Sequence, residues 1–376
     1  MLNSPSHELF YRCVSKKRCK GTLFFANKQV LSKKNSIFSH IICILGEICV
    51  ILHPKSLDKR MINREIIRNK VVQLTYAYYQ NGNKNIDSAE KELLFSLSKA
   101  YDLYAYMLAL IPAVARESRK YLEVAQSKAQ REGTEMPSQK FAYNRFAIQV
   151  EQNTALNDIL EAKKISWNDH PEFVNKLYQQ ITESQIYKEY MDSQDDCFDA
   201  DREVWRKLYR TLIENNESID SILEEESLYW NDDKDIVDTF VVKTIKRFDE
   251  KAGHKQEILP EYSSEEDLDF ARKLFRAAIL NADEYQHYMG EMSRNWDFNR
   301  LAFMDVIIMQ IAIAEMMTFP GIPINVTINE YVEIAKLYST PRSGGYINGI
   351  LDPIARMLVK TGRMLKVIPE RNNPEK

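Results

Sequence analysis

From residue 61 onward the apolar positions recur with the period of an α-helix. Ile67, Val71, Leu74 and Tyr78 follow one another at intervals of 4, 3 and 4, and Asn81-Gly82 supplies a stop. A second apolar series spans 86–131, interrupted by Pro112 and closed by Glu132-Gly133 and Met136-Pro137, and reads as one or two long helices. Amphipathic patterns continue at 138–163, 171–191, 199–215, 217–229 and 233–250, separated by acidic or Asn/Asp-rich turns such as 192–201 and 231–233. After Pro260 and the acidic turn 263–267, further helices are predicted near 267–281, 283–293, 298–318, 325–339 and 343–361. The expected class is all-α.

The segment 298–318 differs from the others. Leu301, Phe303, Met304, Val306, Ile307, Ile308, Met309, Ile311 and Ile313 cover nearly its whole circumference, as a central, buried helix requires. A membrane span is the competing reading. Asp305, Gln310 and Glu315 are spaced five apart, at steps of roughly 140°, and so mark three different sides, which suits a packed protein interior better than lipid.

Composition supports the helical reading, since 11 glycines in 376 residues leave little material for hairpins or phosphate loops. The net charge of −3 hides an asymmetry: residues 1–60 hold 11 Lys and Arg against 3 Asp and Glu, which leaves the remainder at −11. An acidic body does not attract RNA by its average field, so a nucleic-acid site on it must be a local cluster of cations. Four of the five cysteines (Cys13, Cys19, Cys43, Cys49) also fall in the first sixty residues, and no Cys/His ligand spacing occurs. The body therefore reads as a reduced, cytoplasmic protein. The apolar run 41–52 is too short to span a bilayer and is interrupted by Glu47. Pattern and charge both change at Met61, which reads as the natural start of the protein, with 1–60 as an upstream extension of the reading frame or, alternatively, a targeting peptide.

Motifs for chemistry are sparse. Glu284-Tyr-Gln-His287 has the spacing that helical bundles use for a di-iron site, but no other histidine has a glutamate three residues before it. A partly exposed helical histidine is the plainer reading. Ser343-Gly344-Gly345 has no preceding strand and no phosphate-loop motif around it, and reads as a turn in which Ser343 caps the following helix. No nucleophile-elbow or zinc-protease pattern occurs, so the expectation is a protein that is not an enzyme and holds no cofactor.

One ordered set of phrases is more specific. Trp296-Asp-Phe-Asn-Arg300-Leu leads into the apolar helix ending Ile313-Ala-Glu315. Ile322-Pro323 and Val326-Thr-Ile-Asn329-Glu330-Tyr-Val-Glu333-Ile-Ala-Lys336 follow, and Tyr346-Ile-Asn348-Gly349-Ile-Leu-Asp352 closes the set. These phrases resemble the NusB family of transcription antitermination factors, with Thr327 standing where the family has alanine. A moderate resemblance also covers 64–82, through Arg68-x-x-Val71-Val-Gln73-x-x-Tyr76. Family members are small two-bundle helical proteins, so most of 83–265 reads as an enlargement. The organisation implied is an extension at 1–60, an enlarged N-terminal helical region at 61–264, a NusB-like C-terminal bundle at 265–366 and a tail at 367–376.

The resemblance implies a binding protein that joins the small-subunit ribosomal protein acting as NusE. Together they would hold boxA-like single-stranded RNA and help the RNA polymerase antitermination complex read through ribosomal RNA operons, with no membrane partner. Single strands are gripped by cations on phosphates and aromatic rings on bases. Arg64, Arg68 and Lys70 are the candidate cations, with Gln73 beside them and Tyr346 as the stacking ring; a solvated helix face is the alternative for the cations. Glu315, Asn329, Glu330 and Asn348 are the candidate contacts to the basic ribosomal partner, and for Asn329 and Glu330 the alternative is a structural role at the bundle ends. Asp352-Pro353 is expected to kink or restart the last helix, with Asp352 as a new N-cap. Two rival readings remain at this point: a NusB-like module attached to ribosomal RNA cytosine methylation, and a purely structural helical scaffold. Removal of 1–60 is expected to leave thermal unfolding of the body within a few degrees of the full chain, and a larger drop would assign those residues to the fold.

Overall fold

A computed structural model describes residues 61–82, 85–262, 264–292 and 301–364; the extension at 1–60, the Trp296–Arg300 phrase and the tail lie outside them. Among the described residues there are helices and no strands. The first predicted helix is α1 (Arg64–Gln80). Its start is fixed by Asn63, whose side-chain oxygen accepts from the Ile66 N–H at 3.0 Å. The second is a single helix, α2 (Ile86–Glu132), about 70 Å long, that passes through Pro112 and stops at Gly133, a left-handed C-cap with φ of 65°. Buried residues run without a break from Ala100 to Ala115, so packing on every side holds α2 together across the one missing N–H.

Several sequence segments that read as one helix are two, each break having a local cause. The segment 138–163 becomes α3 (Arg145–Glu151) and α4 (Thr154–Lys163), because Asn144 and Asn153 each cap a new start. Ser184 does the same between α5 (Pro171–Glu183) and α6 (Gln185–Asp192). Next come α7 (Phe198–Leu208), which ends in a π-helical turn at Tyr209–Ile213, then α8 (Glu217–Glu226) and α9 (Lys234–Arg247). The C-terminal part holds α10 (Glu265–Leu280), α11 (Ala282–Met292), α12 (Phe303–Thr318), α13 (Ile324–Tyr338) and α14 (Ser343–Lys360).

The central placement of α12 holds. Every residue from Asp305 to Met316 is buried, and each of its three polar sides meets a partner. Asp305 accepts from the Ser343 hydroxyl at 3.0 Å. Gln310 donates to the Ala278 carbonyl at 2.8 Å and to the Tyr79 hydroxyl at 3.0 Å, and accepts from Gln286 at 3.2 Å. Glu315 holds Arg68, as described below. Three expectations need correction. Phe303 is 41% exposed at the helix start rather than buried. Ser343 is the first residue of α14 and spends its hydroxyl on Asp305 and on neighbours in the turn instead of capping. Finally, α14 runs through Pro353 without a restart, and Asp352 pairs with Arg356 one turn on. Here α13 and α14 pack closely, because a Cβ on Gly344 would already sit 3.4 Å from the Val332 side chain.

One apolar core extends from Met61 to Met364, so the enlargement and the C-terminal bundle share it. The join is made by α1, packed on α2 and on α10 and α12, and by α10, which also packs on α2 and pairs Arg276 with its Asp87 and Glu90. Met61 and Ile62 donate their backbone N–H groups to Pro260 and Glu261, both at 3.0 Å, tying the end of the enlargement to the start of α1. Inside the enlargement, Tyr104 shares a 2.7 Å hydrogen bond with Thr244, and Trp167 stacks on Tyr106 with ring centroids 4.3 Å apart. No described helix is long and apolar enough to cross a membrane.

Two carboxylates, Asp233 beside α1 and Asp238 within the enlargement, are forced into the interior. Burial pushes Asp233 up to about 6 against the opposing pull of Lys70, and pushes Asp238 up to about 6 against Lys234. Their folded-state pKa values therefore exceed the unfolded ones, so the native state binds more protons between about pH 4 and 6. Stability is lost across that window as pH rises and is level above it. Asparagine mimics the protonated acid. The urea midpoint of Asp233→Asn/Asp238→Asn is therefore expected to move in the variant's favour, relative to wild type, between pH 4 and 6.5; parallel profiles would show that neither acid titrates there.

Candidate functional site

The phrases of α12 and α13 meet α1 at one buried carboxylate, Glu315. Arg68 donates through Nε to Glu315 Oε2 at 2.8 Å and through Nη2 to Glu315 Oε1 at 2.9 Å, a two-pronged pair. Its remaining Nη1 reaches Glu330 Oε2 at 3.1 Å. Glu315 also accepts from Thr327 Oγ1 at 2.9 Å and Tyr331 Oη at 3.0 Å, so its two oxygens take four hydrogen bonds and none is left for a ligand. Burial opposes the charge on Arg68, but the Glu315 carboxylate outweighs it and raises the guanidinium pKa further. Burial and the same carboxylate push the Tyr331 phenol well above its ordinary value. Thr327 and Tyr331 lie one helical turn apart on α13, which puts both hydroxyls on the side facing α12.

The placement of the sequence candidates divides them. Arg68, which the resemblance pointed toward RNA, is joined to Glu315 and Glu330, which it pointed toward a protein partner. Arg68 is 4% exposed and Glu315 fully buried. Lys70 is fully buried, 2.7 Å from Asp233 and donating to the Tyr229 carbonyl at 3.2 Å. Gln73 is buried too, donating to the Tyr338 hydroxyl at 2.8 Å and to Asp232 at 3.3 Å. The expectation that Arg68, Lys70, Gln73 and Glu315 face a ligand is corrected by this enclosure: Arg68, Lys70 and Glu315 are charges sealed in internal pairs, and Gln73 is buried with its amide N–H groups turned to Tyr338 and Asp232. Their contacts join helices inside the protein.

The accessible candidates are Arg64, Tyr346, Asn329, Asn348 and the outer part of Glu330. Arg64 is half-buried, its guanidinium 4.9 Å above the centre of the Phe270 ring. Asn329 and Asn348 are exposed on α13 and α14, and Tyr346 is half-buried one turn into α14. The hydrogen bond from Ser343 to Asp305 brings the start of α14 beside the start of α12, where Phe303 lies 5.6 Å from Tyr76 and 6.2 Å from Tyr79 between ring centroids. The sequence reading missed this aromatic cluster. Tyr76 and Tyr79, three apart near the end of α1, were the available signal, but their convergence with Phe303 is a tertiary fact. His287 is exposed, 3.6 Å from Glu291, and among the described residues no group of histidine, cysteine and carboxylate side chains could hold a metal ion.

Fold and site together define an all-helical protein, built by closing α1 onto a C-terminal bundle through a buried arginine–carboxylate clamp. Its relatives agree: the chain belongs to the NusB family. The NusB family model matches residues 238–356. The transcription antitermination protein NusB of Geotalea daltonii is 35% identical over 133 residues, 35% of this chain and 89% of that protein. The NusB proteins of Salinibacter ruber and Natranaerobius thermophilus are 38% identical over 98 residues and 45% identical over 80. Those stretches cover 26% and 21% of this chain and 61% and 58% of the two relatives. The chain thus spans about three fifths of the length of these two relatives. No solved structure matches it.

Removing one member of a buried pair leaves the other charged and unpaired. Arg68→Ala is therefore expected to cost about 3–5 kcal/mol in urea unfolding. Thr327→Ala, which deletes one of four donors to Glu315, should cost about 1 kcal/mol. An Arg68→Ala protein within 1 kcal/mol of wild type would show that the clamp does not hold the bundle to α1.

Proposed function

We propose that this protein is a transcription antitermination factor of the cytoplasm. It binds boxA-like single-stranded RNA together with the small-subunit ribosomal protein acting as NusE, and as part of the RNA polymerase antitermination complex it promotes read-through of ribosomal RNA operons. The observation that carries this reading is the family match over residues 238–356, within which the α12 and α13 phrases meet at the Arg68–Glu315 clamp. Within it, Arg64 and the exposed Arg342 supply cations, and Tyr346, with the cluster of Tyr76, Tyr79 and Phe303 at the same end, supplies aromatic surface. Asn329, Asn348 and the outer edge of Glu330 are the contacts offered to the basic ribosomal protein; a carboxylate rim suits its charge. So few cations on an acidic body give weak RNA binding alone, and the basic partner supplies the missing positive charge.

In a titration of boxA-like RNA, the protein alone should bind weakly, with a shallow salt slope, and addition of the ribosomal protein should raise affinity sharply. Tyr346→Ala should then cost about 1–3 kcal/mol if its ring stacks on a base, and Arg64→Ala should reduce the salt slope by about 0.7. Equal RNA affinity with and without the ribosomal protein would sink the proposed partnership.

A further inference from the structure

The outer half of α2 carries a surface that the contacts above leave unused. Residues 85–262 hold 23 Lys and Arg against 35 Asp and Glu, yet 116–132 within them hold five cations against three carboxylates. On a helix of 3.6 residues per turn, Arg116, Lys120, Lys128 and Arg131 fall within about 120° of one another. Their side is roughly opposite Ser118, Leu122 and Ala129, the residues this stretch buries against the fold. The side chain of Lys120 is 72% exposed and that of Arg116 45%, and Lys128 and Arg131 are exposed as well. The stripe is about 22 Å long, at 1.5 Å per residue. Arg116 lies 3.3 Å from Glu151 and Lys120 lies 2.8 Å from Glu117; both are exposed pairs of the kind that water and competing anions readily exchange.

An aromatic ring stands at the edge of this stripe. Tyr121 is 40% exposed but not loose: its ring lies 5.1 Å from that of Tyr178, and its hydroxyl accepts from Asn175 at 2.8 Å. A ring fixed from one side and open on the other can take a nucleobase with little loss of side-chain freedom, and cations in a row beside stacking rings are how proteins hold single strands without reading sequence.

We propose that the face of α2 from Arg116 to Arg131 is a second, sequence-tolerant contact for single-stranded RNA, taking the flank of the strand whose specific element binds at the C-terminal bundle. The flanking role rests on the function proposed above; the contact itself does not.

The probe is a fluorescent 20-nucleotide oligouridylate, titrated by anisotropy against the full chain and against Lys120→Gln/Lys128→Gln/Arg131→Gln, with boxA-like RNA and phosphatidylglycerol vesicles in parallel. The triple variant should bind uridylate about tenfold more weakly at low salt, with a salt slope shallower by about 2, from roughly 0.7 per cation. Tyr121→Ala should weaken it at least about fivefold, while Tyr121→Phe keeps it. Absent uridylate binding by wild type, or equal binding by the triple variant, overturns the proposal. So does a stripe-dependent attachment to vesicles with uridylate binding unchanged, which would assign the face to an anionic membrane. If boxA-like RNA gives no specific binding while uridylate behaves as stated, the proposed function falls and the α2 contact stands.

Discussion

A guanidinium and a carboxylate that lie 247 positions apart in the chain meet inside the protein, and much of the remaining organisation follows from the need to satisfy them. Taking either charge out of water is costly unless the other is present with good geometry and the leftover lone pairs are filled. Two prongs from Arg68, one hydroxyl from Thr327 and one from Tyr331 fill the Glu315 carboxylate. That requirement fixes the rotation of α1 about its axis, the height of α12 and the facing side of α13 together. Thr327 shows the coupling at single-residue level. Where the family phrase has alanine, this chain adds a donor, and the donor lands on the one acceptor that all three helices share.

The enlargement is attached in part through the same helix and by the same means. Two residues after Arg68, Lys70 lies about 200° further round α1 and pairs with Asp233 in the turn that leads into α9. One side of α1 is thus keyed to the C-terminal bundle and the other to the inserted helices. The apolar core runs through both, so the insertion enlarges an existing interior. The raised pKa of Asp233 records what that attachment costs: the acid is kept beside Lys70 in a place where burial disfavours its charge.

The helices were legible because their causes are local. Apolar period, Asn81-Gly82 and Glu132-Gly133 as stops, and the wide apolar circumference of α12 gave the element order and the all-α class. Breaks at Asn153 and Ser184 went unread because a capping side chain inside an amphipathic stretch looks like any polar residue until its bond to the next turn is seen. The site was legible as a set of phrases but not as a geometry. Arg68, Lys70 and Glu315 are charged residues, and sequence alone supports the default that charges face water. What moves them inside is a partner 163 positions away for Lys70 (Asp233) and 247 for Arg68 and Glu315, which no local pattern contains. The cluster of Phe303 with Tyr76 and Tyr79 was hidden for the same reason.

The separation of Arg68 from Glu315 also has a meaning in time. A ribosome adds roughly 5–20 residues each second, so α1 leaves it on the order of 12–50 seconds before the helix that carries its carboxylate. During that interval the guanidinium has no internal counter-charge and is most stable in water, which disfavours early burial of α1. The enlargement emerges first and supplies Asp233 to Lys70, so the inserted helices hold α1 on one side while its other side waits. In the finished protein they are an addition to the bundle; in the growing chain they are the first surface on which α1 can settle.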